Sequence, residues 1–457
     1  MSAHLGDNSK PLTWMQSTAF DVDPRSGFMP PEVPLQRLPA DWAPWEVLLD
    51  EAIKDRLVPG DRIGISAEEE DRSARWRARV QAMPLLPTAE LLKDDEPTLS
   101  RRAHLVLAFL QSFYVQTLSA GSPVCIPKPI AVPLLHVSKF IGMPPVITYA
   151  DCVLYNWNIA TPLSGISHPV SSSSSTPACI DPEAICSQTL FTGLPDEETF
   201  YLTSAKIEVR GVEALDLMRS TMDELFVSDA IAVERITKLL ERLSAVIGDL
   251  RGLLMDVRKG CDPEIYYNSV RPFFRGEDGS HEERKWVFEG IEEYPELANS
   301  DITKELSGAS AAQSTMIYAL DVFLGLDDAR SSSFMARQQI YMPRNHRLFL
   351  DHLGSSSRPL RQFVSQRKAQ GMSEDIALVQ AYNSAVKALK EFRDGHMIIA
   401  TLYIVSPARR ARNALHDHAE MMKQKEKSLK GTGGTEMVKF LKGVRDNTKD
   451  SMLAVQS

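Results

Sequence analysis

One histidine stands where its surroundings could give it a chemical role. His396 lies in a run from Ser373 to Val405 in which apolar residues recur every three or four positions, so they share one face of a long α-helix. The members of that face are Ile376, Val379, Tyr382, Val386, Leu389, Phe392, His396, Ile399 and Tyr403. A histidine in such a stripe is most often a core side chain with one hydrogen-bonded nitrogen. It can also be a metal ligand, and the helix pattern leaves both interpretations open.

A glycine loop before a helix is the second candidate. Gly431 to Thr435 precede a helical pattern that Thr435 can cap, and free backbone N–H groups at such a place bind anions. The loop lacks the lysine and hydroxyl pair of a P-loop, so a flexible turn is an equal interpretation.

Other reactive side chains give weaker signals. His346, His352, His416 and His418 have no metal-ligand spacing, and no serine or cysteine stands in a G-x-S-x-G or similar nucleophile motif. The five cysteines form no C-x-x-C pair, which argues against a zinc site and against a disulfide framework. Covalent hydrolytic catalysis is therefore disfavoured.

Composition narrows the class of protein further. The chain has 457 residues, of which 43% are hydrophobic and 24% charged, with a net charge of -9. This is an ordinary globular composition without the basic footprint that nucleic acid or an anionic membrane requires. We found no apolar run long enough to span a bilayer and no secretory signal, so we expect a cytoplasmic protein with no membrane or nucleic-acid partner.

The elements that must position these residues are mostly helical. A proline-rich arm occupies residues 1 to about 45, and an irregular, proline-punctuated block follows a helix near 100–119. Later helical patterns cover 197–226, 229–258, 264–271, 309–325, 334–340, 345–353, 359–370 and 374–405. A serine- and proline-rich run near 168–182 is the best domain boundary. We predict an all-α fold with a small N-terminal domain at 1–166, a linker at 167–196 and a large domain at 197–457.

Five separated stretches, read together, carry a family resemblance. They are YADCVLYNW (149–157), SGASAAQSTMIYALDVFLGL (307–326), YMPRNHRLFLDHL (341–353), RDGHMIIATLYI (393–404) and GTGGTEMVKFLKGVRDNT (431–448). In order and spacing the chain resembles the indoleamine 2,3-dioxygenase family across roughly residues 100 to 450. The combination is far more specific than any one of its motifs.

The resemblance implies an all-helical haem enzyme with a small and a large domain. His396 stands where the family has its proximal ligand to the iron of haem b, so the resemblance favours the metal-ligand interpretation. Asp321 and Arg393 match a pair beside the haem propionate, and Ala309 lies where backbone passes close to the haem. The implied reaction inserts O₂ into L-tryptophan or a related indole and needs an external reductant.

The resemblance also implies a substrate pocket on the opposite side of the haem. The matching positions are Tyr149, Cys152, Phe200, Tyr201, Ser204, Tyr266, Tyr267, Arg271, Ser310, Ala311 and Thr432. Arg271 is expected to hold the amino-acid carboxylate, because a guanidinium matches it with two hydrogen bonds. Ser204 and Thr432 are expected to act beside it, Thr432 on the ammonium side of the substrate.

Several positions depart from the family pattern. Tyr201, Tyr266 and Tyr267 replace phenylalanines and add hydroxyls, whereas Ala309 and Ala312 replace glycines and add methyl groups that narrow the pocket. These changes leave two alternatives open. One is an enzyme of the same fold that acts on another indole, and the other is a haem-binding or signalling homologue with little turnover.

Overall fold

The computed structural model describes most of the chain. The described residues are 18–93, 97–160, 180–277, 285–298, 300–304, 306–326, 333–355, 359–371, 375–411 and 437–454. Some predictions fall outside them, namely those for His416 and His418, for the loop Gly431 to Thr435 with Thr432, and for residues 167–179 of the linker.

Helices dominate the described chain, which confirms the predicted all-α class. They are α1 (Ala43–Lys54), α2 (Ala67–Ala82), α3 (Pro97–Gln116), α4 (Lys128–Ile141), α5 (Pro195–Val227), α6 (Ala230–Asp256), α7 (Pro263–Ile265), α8 (Pro295–Ala298), α9 (Thr315–Phe323), α10 (Ser333–Gln339), α11 (Arg344–Gly354), α12 (Leu360–Gln370), α13 (Asp375–Ala400) and α14 (Met437–Asp450). Three π-helical turns add Ala150–Leu154, Tyr266–Val270 and Thr401–Val405.

Extended structure in the described chain is limited to two short pairs. Strand β1 (Val124–Ile126) pairs in parallel with β4 (Trp286–Phe288), and β2 (Trp157–Ile159) pairs antiparallel with β3 (Ile185–Ser187). These pairs fasten loops to the helical body.

The long helices α5, α6 and α13 pack together side by side. Helix α6 packs against both α5 and α13 along most of its length. It begins at Asp229, whose side chain accepts a hydrogen bond from the backbone N–H of Ala232, a typical N-cap. Its apolar stripe is fully buried between the two neighbours, and this fixes the position of α13.

Helix α13 confirms the predicted helix around His396. The buried stripe includes Val379, Tyr382, Val386 and Leu389, as the spacing predicts. Ile376, in the first turn of the helix, is 48% exposed although it shares the spacing. The helical path continues beyond Ala400 into the π-helical turn Thr401–Val405, which carries the last member of the stripe, Tyr403.

The irregular block predicted before residue 137 is wrong in part, because residues 128–141 form α4. Pro129 lies in the first turn, where a missing N–H costs nothing, and Pro133 is accommodated inside the helix. Burial of Ile130, Leu134 and Val137 on one side stabilises α4 against the interior.

The part of the N-terminal arm around Asp21 and Phe28 lies against α11. The Phe28 ring packs against His346 and the Asp21 carboxylate accepts a hydrogen bond from Asn345, both on α11. None of the described helices is long and apolar enough to cross a membrane.

Candidate active site

A large cavity lies between α5, the end of α6, α13 and α14. Its atom-free space, including the part open to solvent, is about 1830 Å³. Its walls are mostly apolar and aromatic, with contributions from Ile207 on α5, Leu254 on α6, Ile399 on α13 and Leu441 on α14. Such walls favour a large, flat, apolar ligand.

His396 projects into this cavity from α13. Its imidazole lies deep in the protein, and among the described residues neither ring nitrogen has a hydrogen-bond partner. Burial, reinforced by the charge of Arg393, lowers the pKa of His396 to about 4. The ring is therefore neutral at pH 7, with a nitrogen lone pair available to a metal.

Arg393, one helical turn before His396, is fixed by a buried ion pair. Its Nη2 donates to both carboxylate oxygens of Asp321 on α9, at 2.6 and 2.7 Å. Its Nη1 donates to the hydroxyl of Thr448 on α14. The side chains of Arg393 and Asp321 are 8% and 2% exposed, so three helices are joined at one charged point beside the cavity.

Aromatic rings form the wall that faces α13. The ring of Phe200 lies 4.5 Å from that of Tyr266, and the ring of Tyr266 lies 5.7 Å from that of Tyr403, measured between centroids. Phe274 packs against the same group. A ring system the size of indole fits such a surface through stacking and edge contacts.

A buried polar cluster underlies the opposite wall. The hydroxyls of Tyr149 and Ser314 both donate to Oε1 of Glu208, each at 2.8 Å. Tyr149, Ser314 and Ser204 line the cavity, whereas Glu208 lies behind them and is fully buried. Burial raises the pKa of the Glu208 carboxyl.

Sequence reasoning missed both Glu208 and Ser314. The available signal was a glutamate on the apolar stripe of α5, since Tyr201, Ala205 and Glu208 follow helical spacing and all three are buried. A charged residue in such a stripe requires a partner, but the sequence does not show that the partners are Tyr149 and Ser314.

The segment between Leu306 and Ser314 passes close to the chain near Phe274. Gly308 lies against the Phe274 carbonyl so tightly that no Cβ fits there. This contact presses the next residues, Ala309, Ser310 and Ala311, to the cavity wall. Ala312 also lines the cavity, so the two alanine methyl groups do lie where the sequence places them.

The structure brings most predicted site residues to one cavity. Those that line it are Tyr149, Cys152, Phe200, Tyr201, Ser204, Tyr266, Ala309, Ser310, Ala311, Arg393 and His396. Asp321 reaches it through Arg393. Tyr267 and Arg271 are not among the lining residues, and Thr432 is outside the described chain. Their roles remain predictions.

Arg271 lies beside the cavity wall, on the turn that carries Tyr266. It is buried, and burial, reinforced by the nearby charge of Arg275, lowers its pKa. Its guanidinium carbon lies 5.4 Å from the centre of the Tyr267 ring. A guanidinium stays charged even when buried, so this side of the site favours an anionic group.

The residues present fit a haem. The cavity offers a neutral imidazole without a partner among the described residues, mounted on a helix and surrounded by mostly apolar walls.

Comparison with known proteins identifies the family. The chain matches the indoleamine 2,3-dioxygenase family model over residues 16–451. Indoleamine 2,3-dioxygenase 2 of Homo sapiens is 28% identical over 449 residues, which cover 98% of both chains. Indoleamine 2,3-dioxygenase acdA of Aspergillus candidus is 31% identical over 438 residues, 94% of this chain and 95% of the relative. The chain therefore belongs to the indoleamine 2,3-dioxygenase family, and it is an oxidoreductase.

The relatives differ in the substrate that their names give. A 6-hydroxytryptophan 2,3-dioxygenase, fscD of Fusarium equiseti, is 28% identical over 442 residues, 95% of this chain and 97% of the relative. The family thus supports dioxygenase activity on tryptophan or a related indole, and the family is haem-dependent.

Proposed function

We propose that this protein is a haem-dependent dioxygenase that converts L-tryptophan to N-formylkynurenine, the first step of the kynurenine pathway. The indole C2–C3 bond breaks, and each of the two carbons keeps one oxygen atom of O₂ as a carbonyl oxygen. No atom is lost, so the only external need is a reductant that keeps the iron ferrous. The observation that carries the proposal is the neutral His396, which has no partner among the described residues and faces an aromatic cavity.

When bound, haem supplies the O₂ chemistry, and the protein supplies binding and orientation. His396 would hold the iron, with Arg393 and Asp321 fixing the helix turn next to it. The rings of Phe200 and Tyr266 would hold the indole flat and keep water out. Arg271 would bind the carboxylate and Thr432 would act on the ammonium side, so that the indole is oriented toward the iron.

Replacement of His396 by alanine tests the ligand assignment. We expect His396→Ala to lose the Soret band of the loaded wild type, because no other imidazole among the described residues lines the cavity. His346→Ala is the matched control, since His346 is also buried and neutral, with a pKa lowered to about 3 by burial, but lies on α11 away from the cavity. An unchanged Soret band in His396→Ala would refute the assignment.

The reaction itself has a direct assay. Haem-loaded protein with a reductant, air and L-tryptophan should accumulate N-formylkynurenine. Full haem loading with no product at high L-tryptophan would contradict the proposal and favour a haem-binding homologue with little turnover.

A second candidate substrate is a ring-substituted tryptophan. The relative named for 6-hydroxytryptophan and the hydroxyl that Tyr266 adds to the cavity wall support it. A comparison of turnover of L-tryptophan with that of its hydroxylated forms distinguishes the two candidates.

A further inference from the structure

Tyr266 and Arg271 are joined by one π-helical turn. The turn covers Tyr266–Val270, and the backbone N–H of Arg271 donates to the carbonyl of Tyr266. Turns of this kind are rare and occur often at functional sites. The charge of the Arg271 guanidinium opposes the rise in the Tyr266 pKa that burial causes.

The Tyr266 hydroxyl is left without a protein partner. The side chain lines the cavity and is 6% exposed, and the hydroxyl has no hydrogen bond to any described residue. A buried tyrosine usually satisfies its hydroxyl, because an unmet polar group costs free energy. A ligand atom in the cavity is therefore the missing partner.

The other phenols on the cavity wall are already used or closed off. The Tyr403 hydroxyl donates to the Cys261 carbonyl at 2.6 Å, and the Tyr149 hydroxyl donates to Glu208 at 2.8 Å. The Tyr201 hydroxyl has no accessible surface and faces Cys152 and Glu197. Among the phenols that line the described cavity, only that of Tyr266 is neither hydrogen-bonded to a described residue nor fully enclosed.

We propose that the Tyr266 hydroxyl donates a hydrogen bond to the carboxylate of the amino-acid substrate, next to Arg271. This inference rests on the proposed function and adds a specificity-determining residue to it. A phenol and a guanidinium on one turn give a carboxylate charge-assisted hydrogen bonds from two directions. Indoles that carry an α-carboxylate are thereby favoured over indole amines that lack one.

Binding of two ligands to Tyr266→Phe tests the inference. L-tryptophan and tryptamine share the indole and the ammonium, and only L-tryptophan has the carboxylate. With the haem-loaded full chain in calorimetric titration, we expect Tyr266→Phe to raise the Kd of L-tryptophan about tenfold. The Kd of tryptamine should change by less than about twofold, because its complex never used the hydroxyl.

Tyr201→Phe is the matched control, because it removes, from the same wall, a phenol oxygen that has no accessible surface. We expect it to leave the ratio of the two dissociation constants unchanged. A similar ratio shift in Tyr201→Phe would overturn the inference, since the effect would then not depend on access to the hydroxyl.

Three other results would also overturn it. Equal weakening of both ligands by Tyr266→Phe would show a packing role, and no weakening of either would show no role. A larger rise in the Kd of 5-hydroxy-L-tryptophan than in that of L-tryptophan would show that the Tyr266 hydroxyl contacts the indole ring instead.

Ligand binding by the wild type distinguishes failure of this inference from failure of the proposed function. Wild-type protein that binds L-tryptophan normally while Tyr266→Phe binds it equally well would remove the inference alone. Wild-type protein that binds neither ligand would remove both.

Discussion

At the scale of single residues, two glutamates on α5 share burial but differ in their surroundings. Burial raises the pKa of both Glu197 and Glu208. Glu197 accepts hydrogen bonds from the backbone N–H groups of Phe191 and Thr192. Glu208 accepts only two hydroxyls on Oε1, and its Oε2 has no partner among the described residues.

We expect the Glu208→Gln variant to fold. Its free energy of unfolding should increase relative to that of the wild type as the pH rises. The folded-state pKa of Glu208 lies above the ordinary value of 4.5. The wild type therefore loses stability as the pH rises from that value toward the folded-state pKa, and glutamine has no proton to lose. Urea unfolding of both proteins between about pH 5 and about pH 8 checks this, because a raised carboxyl pKa changes the free energy of unfolding in that range.

Glu197→Gln is the matched comparison on the same helix. A glutamine there turns an N–H₂ group toward backbone N–H donors, so we expect a loss of about 1–3 kcal/mol in the free energy of unfolding at pH 7. Equal losses in the two variants, or a difference from wild type for Glu208→Gln that does not depend on pH, would contradict a raised folded-state pKa for Glu208.

The site residues separate into those that a sequence can and cannot reveal. The motif residues Tyr149, Ser310 and His396 line one cavity, as the family resemblance leads one to expect. Glu208 is invisible to that approach, since its role comes from hydroxyls brought in by two distant segments.

At the scale of elements, α14 closes one side of the cavity and depends on few polar contacts. It contributes Leu441 and Val444 to the lining. Its far end is fastened to α13 by the Asn383 side chain, which donates to the Leu453 carbonyl at 2.7 Å and accepts from the Leu453 N–H at 2.9 Å.

We expect Asn383→Ala to loosen α14 without unfolding the protein. Two hydrogen bonds are lost, at about 1 kcal/mol each, so amide exchange in residues 437–454 should accelerate about tenfold or more. The Kd of L-tryptophan should rise, because the wall that holds Leu441 and Val444 becomes mobile. Hydrogen exchange with mass spectrometry measures the first effect and calorimetry the second.

Asn345→Ala provides the control for this helix. It removes the hydrogen bond from Asn345 on α11 to Asp21 in the arm, at 2.8 Å, and touches neither α14 nor the cavity. Faster exchange of 437–454 in this variant, or unchanged exchange there in Asn383→Ala, would show that the Asn383 contact does not hold α14.

Helix prediction failed where prolines were taken as helix breakers without regard to their position in the helix. Prolines at 127, 129 and 133 suggested irregular chain, yet α4 begins just after Pro127 and has Pro129 in its first turn. The apolar spacing from Ile130 onward was the better guide, because burial outweighs the cost of one internal proline. By contrast, α5, α6 and α13 lack interior prolines, and their ends were predicted within a few residues.

At the scale of the whole molecule, the core consists of two hydrophobic clusters that share helices. The first half of α5 contributes Tyr201 to one cluster, and its second half contributes Leu225 to the other. Helix α13 does the same with Ile399 and Leu389. A helix that is anchored in both clusters cannot unfold in one without exposing apolar surface in the other, so we expect the two clusters to unfold together.

Phe28→Ala tests this coupling, because Phe28 lies in the second cluster whereas the described tryptophans, whose fluorescence reports unfolding, lie in or against the first. Phe28 is 1% exposed in the second cluster, with its ring 5.0 Å from His346 and 5.5 Å from Phe349. Its loss should cost about 3–5 kcal/mol. The described tryptophans, Trp42, Trp45, Trp76, Trp157 and Trp286, all belong to or pack against the first cluster, and Trp14 lies outside the described residues. We expect the urea midpoints of tryptophan fluorescence and of far-ultraviolet circular dichroism to fall together.

Phe28→Leu is the control, since it keeps an apolar side chain of similar size and should cost less than about 1.5 kcal/mol. A fluorescence midpoint that stays at the wild-type value while the dichroism midpoint falls would show that the clusters unfold separately. Coincident midpoints would instead mean that α5 and α13 make one cooperative unit, in which the cavity that both helices line is lost or kept as a whole.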